Sequence, residues 1–267
     1  MSRSITLGHY LPGDSAIHQL NPRIKVPVLM VILVILFAIK TLTGLMAVLV
    51  AVLLLFAVAR VPFSYLLKGL RPIIYIALFA LIIFIFFTKG GVVLFRFGPL
   101  TVESEGLWQG LFVIIRLVTL VLFSLLLTLT TTPLSLTHGL GYYLKPLSRI
   151  GLPAEEVVMI MAIALRFIPT LIEESQRLMR AQVSRGADFE SGSIFRKAKN
   201  LVPLIVPLFV SAFRRADELA LAMEARGYRL GARRTRLHED LIKTQDWLVL
   251  LMALLLLAAV IYYQYLR

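Results

Sequence analysis

The sequence predicts an all-α membrane protein with about five transmembrane helices, together with a cytoplasmic or interfacial insertion of three further helices. Of its 267 residues, 59% are hydrophobic, whereas soluble domains contain about 45–50% apolar residues. Five apolar runs approach the roughly 17–25 residues that a helix needs to cross a bilayer. Between the fourth and fifth runs, residues 132–245 mix apolar and charged stretches and predict the insertion.

The five predicted spans differ in what surrounds them. The first two are separated only by a short turn. The fifth has Trp247 at one end and Tyr262, Tyr263 and Tyr265 at the other, as interfacial aromatic residues are placed. The spans are predicted over 24–41, 42–59, 72–88, 107–131 and 247–263.

The positions of lysine and arginine predict the orientation of these spans. The formal net charge is +13, and 17 of the 28 basic residues lie in 132–245. Cytoplasmic segments of membrane proteins are enriched in these residues, so the N-terminus and 132–245 are predicted to be cytoplasmic. Residues 1–131 then form a membrane part with four spans, and 246–267 contains the fifth span. Because the positive charge follows this topology, it does not indicate binding to nucleic acid.

One apolar stretch inside the insertion is ambiguous. The sequence VVMIMAIALRFIPTLI over 157–172 is apolar, but Arg166 and Pro169 interrupt it. Its uninterrupted part, about ten residues, is more typical of a buried or interfacial helix than of a span. We therefore predict that 157–172 does not cross the membrane, and a six-span arrangement is the alternative.

The insertion is predicted to contain one short amphipathic helix over 134–150 and two long helices over 154–185 and 203–226. Each long helix begins with an apolar half and ends with a charged half, which suits a helix that connects two environments. A short amphipathic helix beside a span commonly lies in the membrane interface. Its apolar stripe consists of Leu136, Leu140, Leu144 and Leu147.

The second long helix carries a pattern that favours close helix packing. Ala212, Ala216 and Ala220 repeat every four residues, as small residues do where two helices approach closely. We predict a packing surface for the long helices on this stripe, to which Leu140 and Leu144 of the short helix also contribute. The other members of the stripe are Phe209, Phe213, Leu219 and Met223.

Both long helices end on the same three-residue step of a small residue, an arginine and a glycine. Glycine commonly ends a helix because it adopts positive φ without strain, and a cation there complements the helix dipole. Capping explains either step alone, but it does not explain why two helices of similar design end identically. The two copies are Ser184, Arg185, Gly186 and Ala225, Arg226, Gly227.

Arg116 lies about ten residues into the fourth predicted span. An arginine inside a bilayer costs roughly 2.5–3.5 kcal/mol on insertion scales, so its guanidinium requires polar partners. The predicted partners are backbone carbonyls, the hydroxyls of Thr119 or Ser124, or another subunit. We expect a structural role for Arg116 rather than a role in substrate binding.

The sequence offers little for catalysis, metal binding or cofactor binding. It contains no cysteine, and it contains no G-x-x-x-x-G-K-[ST] phosphate loop, so any ATP hydrolysis belongs to a partner. No cofactor is predicted. Its histidines show no metal-ligand spacing. They are His9, His18, His138 and His238.

Five stretches, spread over nearly the whole chain, resemble the transmembrane T protein of energy-coupling factor transporters, the ABC-type importers of vitamins and transition-metal ions. The last two place paired small-Arg-Gly signatures at the ends of the helices that carry them. Asn21 stands where that family often has Asp, a change that keeps a capping side chain. The stretches are PGDSAIHQLNPRIK at 12–25, RLVTLVLFSLLLTLTTTP at 116–133, LKPLSRIGLP at 144–153, LRFIPTLIEESQRLMRAQVSRGAD at 165–188 and RRADELALAMEARGY at 214–228.

The resemblance implies a non-enzymatic, multi-pass subunit of the prokaryotic plasma membrane. Such a subunit couples two ABC-type ATPases to a membrane-embedded substrate-binding (S) subunit, and the insertion then forms a cytoplasmic coupling-helix region. The resemblance also implies that Arg185 and Arg226 dock into grooves of the two ATPases. A self-sufficient secondary transporter or channel is the alternative, and it predicts ionisable sites inside several spans, whereas only Arg116 fits. A membrane-embedded enzyme would need clustered His, Asp or Glu, which the sequence does not contain.

Overall fold

A computed structural model of the chain describes residues 10–97, 100–151, 153–187, 189, 194–231 and 242–265. The chain forms two compact units. Unit 1 comprises Met1–Tyr142 and Asp240–Arg267, and unit 2 comprises Tyr143–Glu239.

Unit 1 is built mainly from long helices that follow one another through short connections. A short helix, α1, precedes them, and a two-stranded antiparallel hairpin of β1 and β2 lies between α4 and α5. Helix α6 extends from unit 1 to the boundary with unit 2. The elements are α1 (Ala16–Gln19), α2 (Pro22–Ala38), α3 (Leu42–Ala59), α4 (Phe63–Phe87), β1 (Val93–Phe97), β2 (Leu100–Glu103), α5 (Ser104–Thr130), α6 (Pro133–Leu144) and α9 (Thr244–Tyr265).

Within the described part of the chain, four helices are long and apolar enough to cross a membrane. They are α3, α4, α5 and the segment Thr244–Tyr263 of α9. The first predicted span corresponds to α2, which has 17 residues and is not among the four. That length is at the lower limit for a span, and α2 packs against α9 and α5. The protein is therefore a multi-pass helical membrane protein, as the composition predicts.

The core of unit 1 joins α3, α4 and α5. Fully or almost fully buried apolar side chains from these three helices form one cluster, and a second cluster joins α2 to the start of α3. Large apolar side chains on the outer faces of the same helices stay exposed, as expected where lipid replaces water. The first cluster comprises Val52, Phe56, Ala59, Leu66, Leu122, Phe123, Leu126 and Leu129.

The β-hairpin is an element of the membrane part that the sequence patterns did not predict, within a fold that is otherwise all-α as expected. Its two strands pair Val93 with Glu103 and Phe97 with Leu100. The Ser104 hydroxyl accepts a hydrogen bond from the backbone N–H of Val92 at 3.0 Å and so ties the hairpin to the start of α5. The sequence contained a signal for this element, because VVLFRF is rich in β-branched and aromatic residues and follows Gly-Gly.

One predicted helix start was wrong, and one predicted span lies in a helix that begins earlier. The third span was predicted from residue 72 and the second long helix from 203, but α4 begins at Phe63 and α8 at Ile194. Each prediction began at a proline, a residue that is common in the first turn of a helix. The structure instead places Pro72 and Pro203 inside continuous helices.

Unit 2 consists mainly of two long helices, α7 (Ala154–Ser184) and α8 (Ile194–Ala225), preceded by a 3-10 helix over Lys145–Ile150. They contain 31 and 32 residues and are therefore each about 47 Å long. The stretch 157–172 is part of the continuous helix α7, which is not among the four candidate spans.

Helix α6 does not bury the predicted leucine stripe. It ends at Leu144, and its buried residues are Thr137, Gly139 and Gly141. A Cβ at Gly139 would lie 2.9 Å from the carbonyl carbon and oxygen of Pro22, so the absence of a side chain lets α6 approach the start of α2. Leu140 is exposed and Leu144 is half-buried.

Candidate docking site at the ends of two helices

Helix α7 ends in a hydrogen-bonded cap that is centred on its arginine. The backbone N–H of Gly186 donates to the carbonyl of Val183 at 2.9 Å, and that of Ala187 donates to the carbonyl of Gln182 at 3.0 Å. This pair of bonds defines a Schellman motif in which Arg185 is the C-cap residue. The Ser184 hydroxyl also donates to the carbonyl of Arg180 at 3.1 Å.

Helix α8 ends in the same motif. The N–H of Gly227 donates to the carbonyl of Glu224 at 2.9 Å, and that of Tyr228 donates to the carbonyl of Met223 at 3.0 Å. Arg226 is therefore the C-cap residue of α8, as Arg185 is of α7. The two three-residue steps thus have the same backbone hydrogen bonding as well as the same sequence pattern.

The glycine in each step is required by the backbone. Gly186 has φ 86° and Gly227 has φ 75°, values in the left-handed region that residues with a Cβ rarely adopt. Apart from the chain neighbours of each glycine, no heavy atom of the described structure lies within 4 Å of a Cβ built at either position, so the described residues leave space beside both turns. The capping prediction for these glycines is confirmed.

Both arginines are exposed at the helix ends, as are Ser184 and Ala225. In the part of the chain that the structure describes, neither the Arg185 nor the Arg226 guanidinium makes a hydrogen bond or an ion pair. Each presents a planar set of N–H donors that can bind carboxylates or carbonyl oxygens in a bidentate manner.

The two helices contact each other through a polar cluster that the sequence analysis missed. The Glu174 carboxylate of α7 accepts a hydrogen bond from the Ser211 hydroxyl at 2.6 Å and one from the Arg215 guanidinium at 2.9 Å. The Ser211 hydrogen bond and the Arg215 charge lower the pKa of Glu174, although partial burial opposes them. No local spacing signals this cluster, because its partners are 37 and 41 residues apart.

The Glu174–Arg215 pair lies the same number of residues before the arginine step on each helix. Arg185 lies 11 residues beyond Glu174 on α7, and Arg226 lies 11 residues beyond Arg215 on α8. Eleven residues are about three helical turns, or about 16 Å. Counted from the Glu174–Arg215 ion pair, each helix therefore ends in an arm of the same length, with the arginine at its end.

The alanine stripe of α8 is only partly used in packing within unit 2. Ala212 is half-buried next to Ser211, but Ala216 and Ala220 are exposed. Phe209 and Phe213 are 61% and 58% exposed, and their rings contact each other edge to face at 4.9 Å. The half-buried residues of α8 include three members of the predicted stripe and four other residues. They are Ala212, Leu219 and Met223 of the stripe, and Asn200, Leu208, Ser211 and Arg215.

Arg116 of α5 donates a hydrogen bond to the backbone carbonyl of Ile39 at 2.7 Å, which is one of the predicted kinds of partner. Ile39 is the C-cap residue of α2, so the guanidinium satisfies a carbonyl at the negative end of that helix. The guanidinium carbon also lies 4.6 Å from the ring centroid of Phe112 and 5.8 Å from that of Phe37. These contacts favour a structural role.

A second buried polar cluster holds the ends of three helices together in unit 1. The Lys25 ammonium donates to the Thr130 carbonyl and the Thr131 hydroxyl, each at 3.0 Å, and to the His18 carbonyl at 3.4 Å. The Asp246 carboxylate accepts from the backbone N–H of Asn21 at 2.9 Å. Lys25 is the second residue of the first predicted span, 24–41, and no local sequence pattern indicates these partners.

Metal ligands are not grouped in the described residues, where no three His, Cys, Asp or Glu side chains lie together as a metal site requires. Of the four histidines, His9 and His238 lie outside those residues. His18 contacts the Ser15 hydroxyl at 2.7 Å and the Leu11 carbonyl at 3.0 Å, a local structural role.

The fold and the two matched helix ends define a multi-pass membrane protein with a helix pair that presents two arginines. The family model described as a cobalt transport protein, CbiQ, matches residues 13–237. Several curated proteins with the name energy-coupling factor transporter transmembrane protein EcfT are similar along almost their whole length. The chain belongs to this CbiQ/EcfT family, and it is a membrane component of a transport system.

Three of these relatives illustrate the degree of similarity. The protein from Clostridium kluyveri is 48% identical over 257 residues, which cover 96% of this chain and 95% of the relative. The protein from Brevibacillus brevis is 46% identical over 261 residues, covering 97% and 98%. The protein from Bacillus subtilis is 44% identical over 268 residues, covering 98% and 99%.

Proposed function

We propose that this protein is the energy-coupling subunit of an importer and transmits ATP hydrolysis by two partner ABC-type ATPases to a membrane-embedded substrate-binding subunit. The observation that carries the proposal is the duplicated arm. Two helices end in the same Schellman motif, each exposes an arginine, and each extends 11 residues beyond the Glu174–Arg215 ion pair. Two equivalent ATPases offer two equivalent binding sites, so a single chain that engages both requires two matched ends.

The chemistry of the arginines suits this docking role. A guanidinium stays charged at all physiological pH values and offers a rigid set of donors to a groove lined with carboxylates or carbonyls. Gly186 and Gly227, which follow the arginines, let the partner's surface approach the backbone, since nothing in the described structure occupies the space beside them. Ser184 and Ala225 are small enough to allow the same approach.

The exposed apolar surface of α8 is the proposed contact for the substrate-binding subunit. Over 201–213 most apolar side chains are exposed. Aromatic residues are enriched in the cores of protein interfaces, and Phe209 and Phe213 stand in this segment. Ala216 and Ala220 continue the surface and permit close approach of a partner helix.

The cargo proposed for this importer is a micronutrient, either a vitamin or a transition-metal ion. This follows from the transporter class that the sequence resembles, and the substrate-binding subunit would determine the choice. Arg116 offers no comparable support for a self-sufficient carrier, because its guanidinium binds the Ile39 carbonyl.

The proposal is tested by replacing the two arginines. Arg185→Ala, Arg226→Ala and the double variant are co-expressed with the two candidate ATPases, and the ATPases retained per chain are measured along with uptake. Losing charged hydrogen bonds worth about 1.5–3 kcal/mol weakens each contact roughly 10- to 100-fold. Each single variant should therefore lose one ATPase contact, and the double variant should lose both.

The matched controls are Arg180→Ala and Arg229→Ala, which remove exposed arginines one to two turns away on the same two segments. They should retain both ATPases. Full ATPase binding and uptake by the double variant would exclude the docking role. Uptake by this chain reconstituted alone in liposomes would instead support the secondary transporter or channel.

A further inference from the structure

Unit 1 contains an apolar groove of about 550 Å³ that none of the proposed partner contacts uses. Helix α9 packs on α2, α2 on α5, and α5 on α3, so these helices form the walls of a trough. The lining residues come mainly from these four helices. Three of the four, α3, α5 and α9, are candidate spans, so the groove lies in the membrane-spanning part of unit 1.

The lining of the groove selects for a hydrocarbon. Of its lining residues, only Lys25 and Thr130 carry polar side-chain atoms, and both lie at one end. The Lys25 ammonium is directed to three protein oxygens, and the Thr130 hydroxyl donates to the Leu126 carbonyl at 2.8 Å. The groove therefore offers no free hydrogen-bond donor along its length, and such cavities do not hold water.

The shape of the groove selects for a narrow ligand. It follows α2 from Lys25 to Ile39, a distance of about 21 Å along the helix axis. A volume of about 550 Å³ over that length makes the groove several times longer than it is wide. A single extended hydrocarbon chain has this long and narrow shape.

We propose that this groove binds an acyl chain of a membrane phospholipid, held between α3 and α9 along α2. The acyl chain contacts lining residues of α2, α3, α5 and α9. This site is independent of the docking role of Arg185 and Arg226.

The test uses the full chain in detergent, with native mass spectrometry to count phospholipids retained after extended washing. Ala51→Phe with Ala253→Phe fills the groove from α3 and α9, since both alanines line it. Ala57→Phe with Ala259→Phe places the same side chains on the exposed outer faces of the same helices. The wild-type chain and the outer-face variant should retain a phospholipid, and the filled variant should lose it at least about tenfold.

A second measurement does not require the chain to fold with two phenylalanine side chains in the groove. In a chain with Trp108 and Trp247 replaced by Phe, a tryptophan probe is introduced as Ala253→Trp or as Ala259→Trp, and the chain is purified from brominated phospholipid. After washing, quenching should persist for the Ala253→Trp probe and disappear for the Ala259→Trp probe. Equal retention in the filled variant, equal quenching of both probes, or occupation by an adventitious additive only, such as detergent, would overturn the proposal.

Discussion

At the scale of single residues, Lys25 and Asp246 determine how the ends of the helices of unit 1 are held. They are 7% and 3% exposed, respectively, yet both are charged residues. Asp246 binds the backbone N–H groups of Asn21 and Lys243, and Lys25 binds oxygens at the end of α5. The cluster thus joins the N-terminal ends of α2 and α9 to the C-terminal end of α5.

Replacing Lys25 by methionine should destabilise the protein. Methionine keeps most of the volume but leaves the Thr130 carbonyl and the Thr131 hydroxyl buried without their donor. A buried group that loses its hydrogen bond costs about 1–3 kcal/mol. The measurement is the apparent melting temperature of the purified chain in detergent, which should fall clearly.

The matched control is Lys40→Met, because Lys40 is exposed in the connection between α2 and α3. Its melting temperature should stay close to that of the wild-type chain. Equal melting temperatures of the two variants would show that the Lys25 cluster does not stabilise unit 1. The free-energy cost of burying the ammonium would then cancel the gain from its hydrogen bonds.

The sequence predicted local residue features better than distant ones. The glycine caps at 186 and 227 follow from a few neighbouring residues, so the pattern alone predicted them. The Lys25 contacts join residues 105 and 106 positions apart, and the Asp246 contact joins residues 225 positions apart. Such pairs depend on which helix ends meet, and residue spacing along one helix carries no information about that.

At the scale of elements, the contact between α7 and α8 holds together the two helices that end in the arginine arms. Glu174 holds Ser211 and Arg215, and the Arg215 Nε atom is buried without a hydrogen-bond partner in the described structure. Removing the carboxylate charge would leave that guanidinium with fewer partners, so the contact is sensitive to the ionisation of Glu174.

The α7–α8 contact should weaken in acid. The hydrogen bond from Ser211 and the charge of Arg215 lower the pKa of Glu174 below its ordinary value of 4.5. Because the pKa of Glu174 is lowered in the folded state, the ionised carboxylate stabilises the contact at pH values above its ordinary pKa. This stabilisation is lost as the pH falls below the ordinary pKa and then through the pKa of the folded state. Spin labels on Arg180→Cys and Glu218→Cys should therefore show a broader distance distribution in acid than at neutral pH.

Glu174→Gln should remove this pH dependence and give the broader distribution at neutral pH as well. Glu173→Gln is the matched control, because Glu173 is the exposed neighbouring carboxylate, and it should keep the pH dependence of the wild-type pair. A distribution that is unchanged by acid and by Glu174→Gln would show that apolar packing alone holds the two helices.

The helices themselves were largely predictable, but their limits and the hairpin were not. The end of α7 was predicted within one residue, because a strong cap marks it. The start of α8 was missed by nine residues, since its first turns are polar and Pro203 suggested a beginning. The strands β1 and β2 are only five and four residues long, and hairpins of this size are stable mainly when they pack against other elements.

At the scale of the whole molecule, the two compact units correspond to two different chemical environments in the sequence. Unit 1 contains all four candidate spans, and unit 2 contains the long helices with charged second halves. The distribution of lysine and arginine predicts that the N-terminus and the insertion lie in the cytoplasm. That orientation places both arginine ends on the side of the membrane where ATP is available.

The orientation can be tested directly because the chain contains no cysteine, so single cysteines can be introduced without a background. The positions are Ser64→Cys at the start of α4, Lys89→Cys beyond its end and Arg177→Cys in α7, all at exposed residues. A membrane-impermeant maleimide should label Lys89→Cys in intact cells. It should label Ser64→Cys and Arg177→Cys only after permeabilisation, and the cysteine-free parent should stay unlabelled throughout.

Labelling of Arg177→Cys in intact cells would require 157–172 to cross the membrane and would favour the six-span arrangement. If Ser64→Cys is labelled in intact cells and Lys89→Cys is not, unit 1 has the opposite orientation in the membrane. In that orientation, and if 157–172 does not cross, the arginine arms lie outside the cytoplasm.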